Sequence, residues 1–336
     1  MHGRGVHFPA ARQVAWEDVS FDPARLGPTE VLIETHYTLI SAGTEVAMYS
    51  GLEAGLVSFP CRPGYTHIGR VTHLGSDVKG IQAGDLLFSY AHHASHTVLD
   101  TSRAFFLKVP DGLDPKTALF VRLAAVSITA PTIASFTLGD WVVVFGLGLV
   151  GNLAAQLFQL AGASVIGVDL ADRRLEAAGH CGIAHTVNPR RHDVKEVVMT
   201  LTSGRGTDLV IDAIGSTECV MTGLDLLRRG GQILLIGLVR EPSTHLASEV
   251  LRQVFLKWAT IKSSWEWQIP QRGSEQVRTS IESNSHVLFG MLQDGRLRVA
   301  DLISHTIRPD QIQDAYEGLL NRKDEYWGVV IDWTGT

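Results

Sequence analysis

Residues 141–169, WVVVFGLGLVGNLAAQLFQLAGASVIGVD, constrain the fold more than any other stretch of this chain. An apolar run at 141–145, rich in β-branched residues, has the composition of a strand buried on both faces. Gly146, Gly148 and Gly151 follow as G-x-G-x-x-G, and Leu153, Ala154, Leu157, Leu160 and Ala161 then recur at helical spacing. A second short apolar run, 164–168, ends at Asp169. The pattern is strand, tight turn, helix, and a strand tipped by a carboxylate. Gly146 permits the turn, Gly148 the close approach of a pyrophosphate, and Gly151 the packing of the helix on the sheet. Around Leu149 and Val150 the helix start offers free N–H groups and a positive dipole end to phosphates. Asp169 falls 18 residues after Gly151, where a carboxylate can accept hydrogen bonds from both hydroxyls of an adenosine ribose.

That carboxylate also selects the dinucleotide. It would repel a 2′-phosphate, and Leu170, Ala171 and Asp172 place no basic residue immediately after it. NAD is therefore the expected cofactor, not NADP. The apolar length of the stretch does not make it a membrane span, because four glycines, Asn152, Gln156 and Gln159 interrupt residues 141–164.

Composition narrows the class. A chain of 336 residues leads us to expect two domains. With 45% hydrophobic and 19% charged residues it reads as globular, and a net charge of −6 gives no basic footprint for nucleic acid. No leader is expected in MHGRGVHFPAARQ, and Cys61, Cys181 and Cys219 are scattered without a C-x-x-C. A cytoplasmic protein without membrane or nucleic-acid partners, acting on a small molecule, is the expectation.

The chain changes character along its length. Residues 1–100 hold short β-type runs at 31–35, 70–74, 85–89 and 96–99, separated by Gly, Pro and Asp turns, as in an all-β barrel. Residues 115–134 are Ala-rich and helical in pattern, with Asp114 as N-cap and Pro115 at the first helical position; Pro131 should break or kink the helix. Strand candidates at 141–145, 164–168, 183–187, 208–212, 232–236 and 259–263 alternate with helix candidates at 151–162, 172–180, 193–202, 217–229 and 247–257. This is a doubly wound parallel sheet in an α/β protein. Residues 273–295 look helical, and the tail returns to β structure at 303–307 and 327–333 around a helix at 309–321. The tail's strands need partners outside the central sheet, so the cofactor domain is expected as an insertion, with a substrate cleft between the domains.

On these ordered pieces the chain resembles the medium-chain dehydrogenase/reductase superfamily. They are Gly43-Thr44-Glu45, the run GYTHIGRV from Gly64 to Val71, Gly75-Ser76-Asp77-Val78, Gly84-Asp85, the glycine turn with Asp169, and Gly230-Gly231-Gln232. The runs ISAGTE from Ile40, Phe59-Pro60 and Pro63-Gly64-Tyr65 are similar to the branch named for 2-desacetyl-2-hydroxyethyl bacteriochlorophyllide dehydrogenases. The resemblance implies a GroES-like β-barrel catalytic domain, expected at 1–126 and 271–336, and a Rossmann domain at 127–270. It also implies hydride transfer to or from a nicotinamide, and a homodimer or homotetramer. Zinc-dependent relatives carry ligands at positions that here read Ala42, Tyr65, Thr66 and either Ala124 or Ala125. No soft or charged ligand remains, so no metal is expected.

Without zinc, a side chain must take the alcohol proton and stabilise the developing alkoxide. By the resemblance Thr44 matches the proton-relay hydroxyl, Tyr65 replaces a metal ligand, and His67 lies beside that vanished position; these three are the expected catalytic residues. The relay histidine of many relatives is Ala47 here. Glu45, His93 and the aromatic loop at Trp265 are the candidate substrate contacts. Thr129 is expected against the nicotinamide and Arg174 beside the adenine. Ile214, Gly237 and Leu238 should line the dinucleotide from the C-terminal ends of parallel strands. The leading expectation is an NAD-dependent, zinc-independent dehydrogenase oxidising a secondary alcohol of a polyol, sugar derivative or other bulky compound. A quinone or enoyl reductase, a redox-neutral epimerase or lyase holding NAD, and a non-catalytic NAD-binding protein remain as alternatives.

Overall fold

The computed structural model describes residues 1–52 and 58–335. The chain divides into two units, Met1–Arg122 with Ile303–Thr336, and Leu123–Leu302. The boundaries differ from the expected 127–270 insertion, chiefly because residues 271–302 stay with the second unit. The buried Gln156 amide accounts for this at the C-terminal end. It donates to the Arg298 carbonyl and accepts from the Arg298 N–H, both at 2.8 Å, while His180 meets Asp301.

The first unit opens with β1 (His2–His7), β2 (Ala15–Ser20), β3 (Glu30–Leu39), α1 (Ala42–Ser50), β4 (His67–Leu74), β5 (Leu86–Ser89), β6 (His96–Asp100), β7 (Phe106–Lys108) and α2 (Pro115–Ala118). β3 is its spine: β4 runs antiparallel along one edge, and β6 pairs antiparallel with its first half. The expected Asp114 cap is present, its carboxylate accepting from the Thr117 N–H with Pro115 at the first helical turn.

The second unit follows with α3 (Val121–Ser127, begun in the first unit), α4 (Thr129–Ile133), β8 (Trp141–Phe145), α5 (Leu149–Leu160), β9 (Ser164–Val168), α6 (Asp172–His180), β10 (His185–Val187), α7 (Val194–Leu201), β11 (Thr207–Asp212), α8 (Thr217–Leu226), β12 (Leu227–Leu235), α9 (Ala247–Lys257), β13 (Thr260–Ser263) and α10 (Ile281–Gln293). The helical stretch before β8 is interrupted three residues ahead of Pro131, at Ile128. Proline has no N–H for the Ser127 carbonyl, so the turn around that carbonyl is where regularity fails. Six parallel strands stand in the order β10-β9-β8-β11-β12-β13. The order reverses between β8 and β11, and ligands of such sheets bind at the carboxyl ends of the strands flanking that point. The helix expected at 217–229 ends at Leu226, and strand β12 begins at Leu227. Gly230 and Gly231 are poor helix formers, and the backbone enters the sheet before them.

The chain returns to the first unit with β14 (His305–Ile307), α11 (Ile312–Asn321) and β15 (Val329–Asp332). β15 joins β3 antiparallel, as the tail's need for partners required. α11 lays Tyr316 against Phe8 and Tyr49, with ring centroids 5.1 Å apart in each pair. That aromatic cluster anchors α1, the helix that carries Thr44 and Glu45.

Candidate functional site

The dinucleotide turn has the geometry its residues imply. Gly146 sits at φ +86°, and a Cβ there would stand 2.6 Å from Ile214 Cγ1. On Gly151 a Cβ would fall 1.8 Å from the Gly146 carbonyl oxygen, so only glycine lets α5 start this close to the turn. Gly148 differs: a Cβ there meets nothing within 4 Å, leaving open space over the start of α5. Gly148 is the N-cap and offers no side chain, so the first N–H groups of α5 have no side-chain cap. This is a cradle for phosphate.

Asp169 caps β9 as expected. Its carboxylate accepts from the Leu147 N–H at 2.7 Å and the Ala171 N–H at 2.8 Å, and Arg174 lies 3.7 Å away. Each oxygen retains a lone pair for a ribose hydroxyl. Arg174 thus supports the carboxylate directly. The Asp212 carboxylate, absent from the sequence reading, accepts from the N–H groups of Ile214, Gly215 and Ser216 and fixes the loop after β11. Burial pushes its acid above the usual carboxylate range, against those three bonds. Ile214 and Leu238 each keep 53% of their surface exposed, available to a flat ring. Gly237 packs so tightly on Gly215 that a Cβ would come within 2.3 Å of the Gly215 nitrogen. Thr129 is fully buried, and its hydroxyl turns back to the Ala125 carbonyl at 3.3 Å instead of outward. Trp265 is 66% exposed on the loop after β13.

In the first unit the structure separates the expected catalytic residues into two groups. Tyr65 donates a short hydrogen bond to Ser41 Oγ, and the Thr44 hydroxyl bonds the same phenol. Ser41 is the N-cap of α1, so the phenol oxygen lies at the positive end of that helix. Across the ring, the guanidinium of Arg122 lies 4.9 Å from the Tyr65 centroid and 4.6 Å from that of Tyr90. Arg122 is only 4% exposed. Burial pushes the Tyr65 phenol up, Arg122 opposes it, Glu45 adds to the rise, and the Ser41 and Thr44 bonds oppose it.

His67 is not in this group. It is fully buried in β4, with Nε2 3.1 Å from Thr35 Oγ1 and Nδ1 2.9 Å from Ser89 Oγ. Burial, with His93 and His36 nearby, drops its pKa to about 3. Both nitrogens are taken and the ring stays neutral, so His67 is an interior residue and the catalytic expectation for it is withdrawn. Glu45 and His93, expected at the substrate, are both 0% exposed. Glu45 accepts from the Ser41 N–H at 2.8 Å and from Tyr316 Oη at 2.6 Å, and bonds His93 Nε2 at 2.8 Å. Burial and Glu45 hold the Tyr316 phenol well above its ordinary range. The trio braces α1 against α11 from inside; neither Glu45 nor His93 reaches a surface where substrate could touch it.

Sequence reasoning missed Ser41 and Arg122. A signal for Arg122 was present: between Thr117 and Ala134 it is the one charged residue in an otherwise apolar helical run. A buried arginine there needs a specific partner surface.

Comparison with known proteins agrees with this fold. Residues 150–282 match the family described as zinc-binding dehydrogenase. The chain is 28% identical over 268 residues to an L-threonine 3-dehydrogenase of Caldanaerobacter subterraneus, covering 71% of this chain and 76% of that one. A D-guloside 3-dehydrogenase of Escherichia coli is 32% identical over 175 residues, 52% of this chain and 50% of its own. An alcohol dehydrogenase of Escherichia coli solved with NADH superposes with a TM-score of 0.80 at 18% identity, covering 98% of this chain and 99% of that one. The chain is a homologue of these dehydrogenases and an oxidoreductase, and residues 150–282 match the zinc-binding dehydrogenase family.

The name of that family implies a catalytic zinc, and the residues here do not suit one. An open zinc site needs three protein donors from Cys, His, Asp or Glu. Ala42 has none, Tyr65 is committed to Ser41, and the buried Thr66 hydroxyl, without a partner among the described residues, is not a zinc donor. Among the described residues no three His, Cys, Asp or Glu side chains gather into a metal-binding group. The guanidinium on Tyr65 adds a positive charge where a dication would have to sit.

Proposed function

We propose that this protein is an NAD-dependent, zinc-independent dehydrogenase that oxidises a secondary alcohol, of a polyol, sugar derivative or other bulky compound, to a ketone. The observation that carries the reading is an intact dinucleotide cradle in one unit and, in the other, a hydrogen-bonded Tyr65–Ser41–Thr44 group whose Tyr65 stands at a position where zinc-dependent relatives keep a metal ligand. NAD, when bound, supplies the hydride acceptor. Gly146 to Gly151 would receive its pyrophosphate, Asp169 its adenosine ribose, and the exposed Ile214 and Leu238 side chains its rings. Asp169, with no basic residue immediately following, favours NAD over NADP. Tyr65 accepts the alcohol proton, which Ser41 and the exposed Thr44 hydroxyl can pass on to water. The names of the threonine and guloside dehydrogenases, each acting at a 3-position, support a secondary alcohol as substrate.

Self-association is assigned to the second unit. Leu251, Phe255 and Trp258 form an exposed apolar stripe at helical spacing, and the sheet-edge strand β13 follows directly. A cytoplasmic setting accords with three free cysteines.

The test is a screen of chelator-treated enzyme against threonine, polyols and glycosides, following reduction of NAD and NADP separately. We expect reduction of NAD with one of these alcohols, unaffected by the chelator. Activity that returns only when zinc is added back, or a preference for NADP, would end the proposal.

A further inference from the structure

A phenol taken out of water resists ionisation, yet a proton acceptor at Tyr65 must ionise. In zinc enzymes the metal supplies the compensating positive charge. Here one permanent cation stands against the phenol, and its placement is specific. The Arg122 guanidinium carbon lies over two aromatic rings, 4.9 Å from the Tyr65 centroid and 4.6 Å from that of Tyr90. Tyr90 is itself held by Phe105 at 5.0 Å and Phe88 at 5.7 Å between centroids. The guanidinium is thus fixed at a depth where solvent screens it little. A phenolate delocalises its charge into the ring, so a cation on the ring face is attracted more strongly once the proton has left.

We propose that Arg122 is the positioning residue that makes Tyr65 a proton acceptor, its guanidinium taking the electrostatic role that a metal dication fills in zinc-dependent relatives. The inference rests on the proposed dehydrogenase reading. The alcohol O–H bond breaks, its proton goes to Tyr65 Oη, and its electron pair closes the C=O bond as hydride leaves the carbon for the cofactor. Other groups facing the phenol modulate this. Ser41 and Thr44 stabilise the phenolate by hydrogen bonds, and the N-terminus of α1 adds a partial positive charge. Glu45 opposes ionisation, and its bonds to His93 and Tyr316 limit that opposition. Lysine would keep the charge of Arg122 but lose the planar, delocalised guanidinium that lies over both rings.

The test uses the full-length enzyme without cofactor or substrate. The tyrosinate absorbance of wild type, Arg122→Met and Arg122→Lys is titrated against pH, with Tyr65→Phe as the blank that isolates this phenol among the six tyrosines. Arg122→Met should raise the Tyr65 midpoint by about one to three pH units, and Arg122→Lys by less. With an alcohol substrate and NAD, the ascending limb of kcat/KM against pH should shift alkaline by the same amount. Methionine keeps most of the apolar stem of the arginine while removing its charge. Should Arg122→Met still fail to fold, Tyr90→Leu, which unseats the guanidinium without removing it, should raise the midpoint in the same direction. An unchanged Tyr65 midpoint in Arg122→Met, or in Tyr90→Leu where that substitutes for it, overturns the inference. Full activity in Tyr65→Phe would instead overturn the acid–base assignment of the dehydrogenase reading, and the cofactor-free titration would still report the coupling of Arg122 to the phenol.

Discussion

The two units treat their inherited site residues in opposite ways. In the second unit the glycine turn and Asp169 keep the residue types that their geometry demands, and the space above Gly148 stays open. In the first unit the positions matched by resemblance to metal ligands read Ala42, Tyr65 and Thr66, and the Arg122 guanidinium lies against the phenol ring. The difference follows from what each region must recognise. A pyrophosphate is met by backbone N–H groups, which no change of side-chain chemistry can replace, so glycine is irreplaceable there. A developing alkoxide needs only positive charge and a proton acceptor, and several side-chain sets can provide both.

The sharpest test of this contrast compares two glycines only three residues apart in the chain, Gly148 and Gly151. Gly151→Ala should lose about 1–3 kcal/mol of stability, because its methyl overlaps the Gly146 carbonyl. Gly148→Ala should stay within about 0.5 kcal/mol of wild type in thermal unfolding, yet weaken dinucleotide binding measured by calorimetry. Equal effects of the two on stability would break the claim that the space over Gly148 is reserved for ligand.

In the first unit the matching test is acid sensitivity. The imidazole of His67 titrates near its ordinary 6.5 in the unfolded chain and at about 3 when folded. Between those values the unfolded chain binds a proton that the folded chain refuses. Stability is therefore full above the unfolded value and falls as pH drops towards 3, by up to about 1.4 kcal/mol per pH unit. In urea unfolding, wild type should lose about 2 kcal/mol more than His67→Gln between pH 7 and pH 5. The substitution should leave the shape of the pH–rate profile alone; a shift of its limbs would restore His67 to the chemistry.

The smallest expected effect concerns cofactor choice. Asp169→Ser should reduce the preference for NAD over NADP about tenfold, the worth of one hydrogen bond to a charged acceptor. Measured dissociation constants that keep their ratio would separate Asp169 from ribose recognition and leave it only its bonds to Leu147 and Ala171.

Much of the second unit could be read directly from residue order. Trp141 to Asp169 forms β8, α5 and β9 because burial period, glycine placement and the terminal acid all agree within 29 consecutive residues. The tail's return to the β unit was legible for a different reason: strands at its end had no partners left in a sheet already complete. The first unit was read less well. Thr44 and Tyr65 could be named by resemblance, but His67, Glu45 and His93 carry the same side chains whether they face substrate or a packed interior. Which of those holds depends on strand register and on α11, which lies more than 200 residues further along the chain and brings Tyr316 to Glu45.

The amino-acid sequence thus determined the dinucleotide cradle, since local backbone geometry and a nearby carboxylate suffice to build it. It also determined that Ala42, Tyr65 and Thr66 stand where the resemblance places metal ligands, which is a matter of residue identity alone. Tertiary structure decided the rest. Only the fold closes His67 between Thr35 and Ser89, ties Glu45 to His93 and Tyr316, and sets Arg122 on the face of Tyr65 from 57 residues away. Those are contacts between distant segments, and their energies depend on burial and distance, quantities that exist only once the chain has folded.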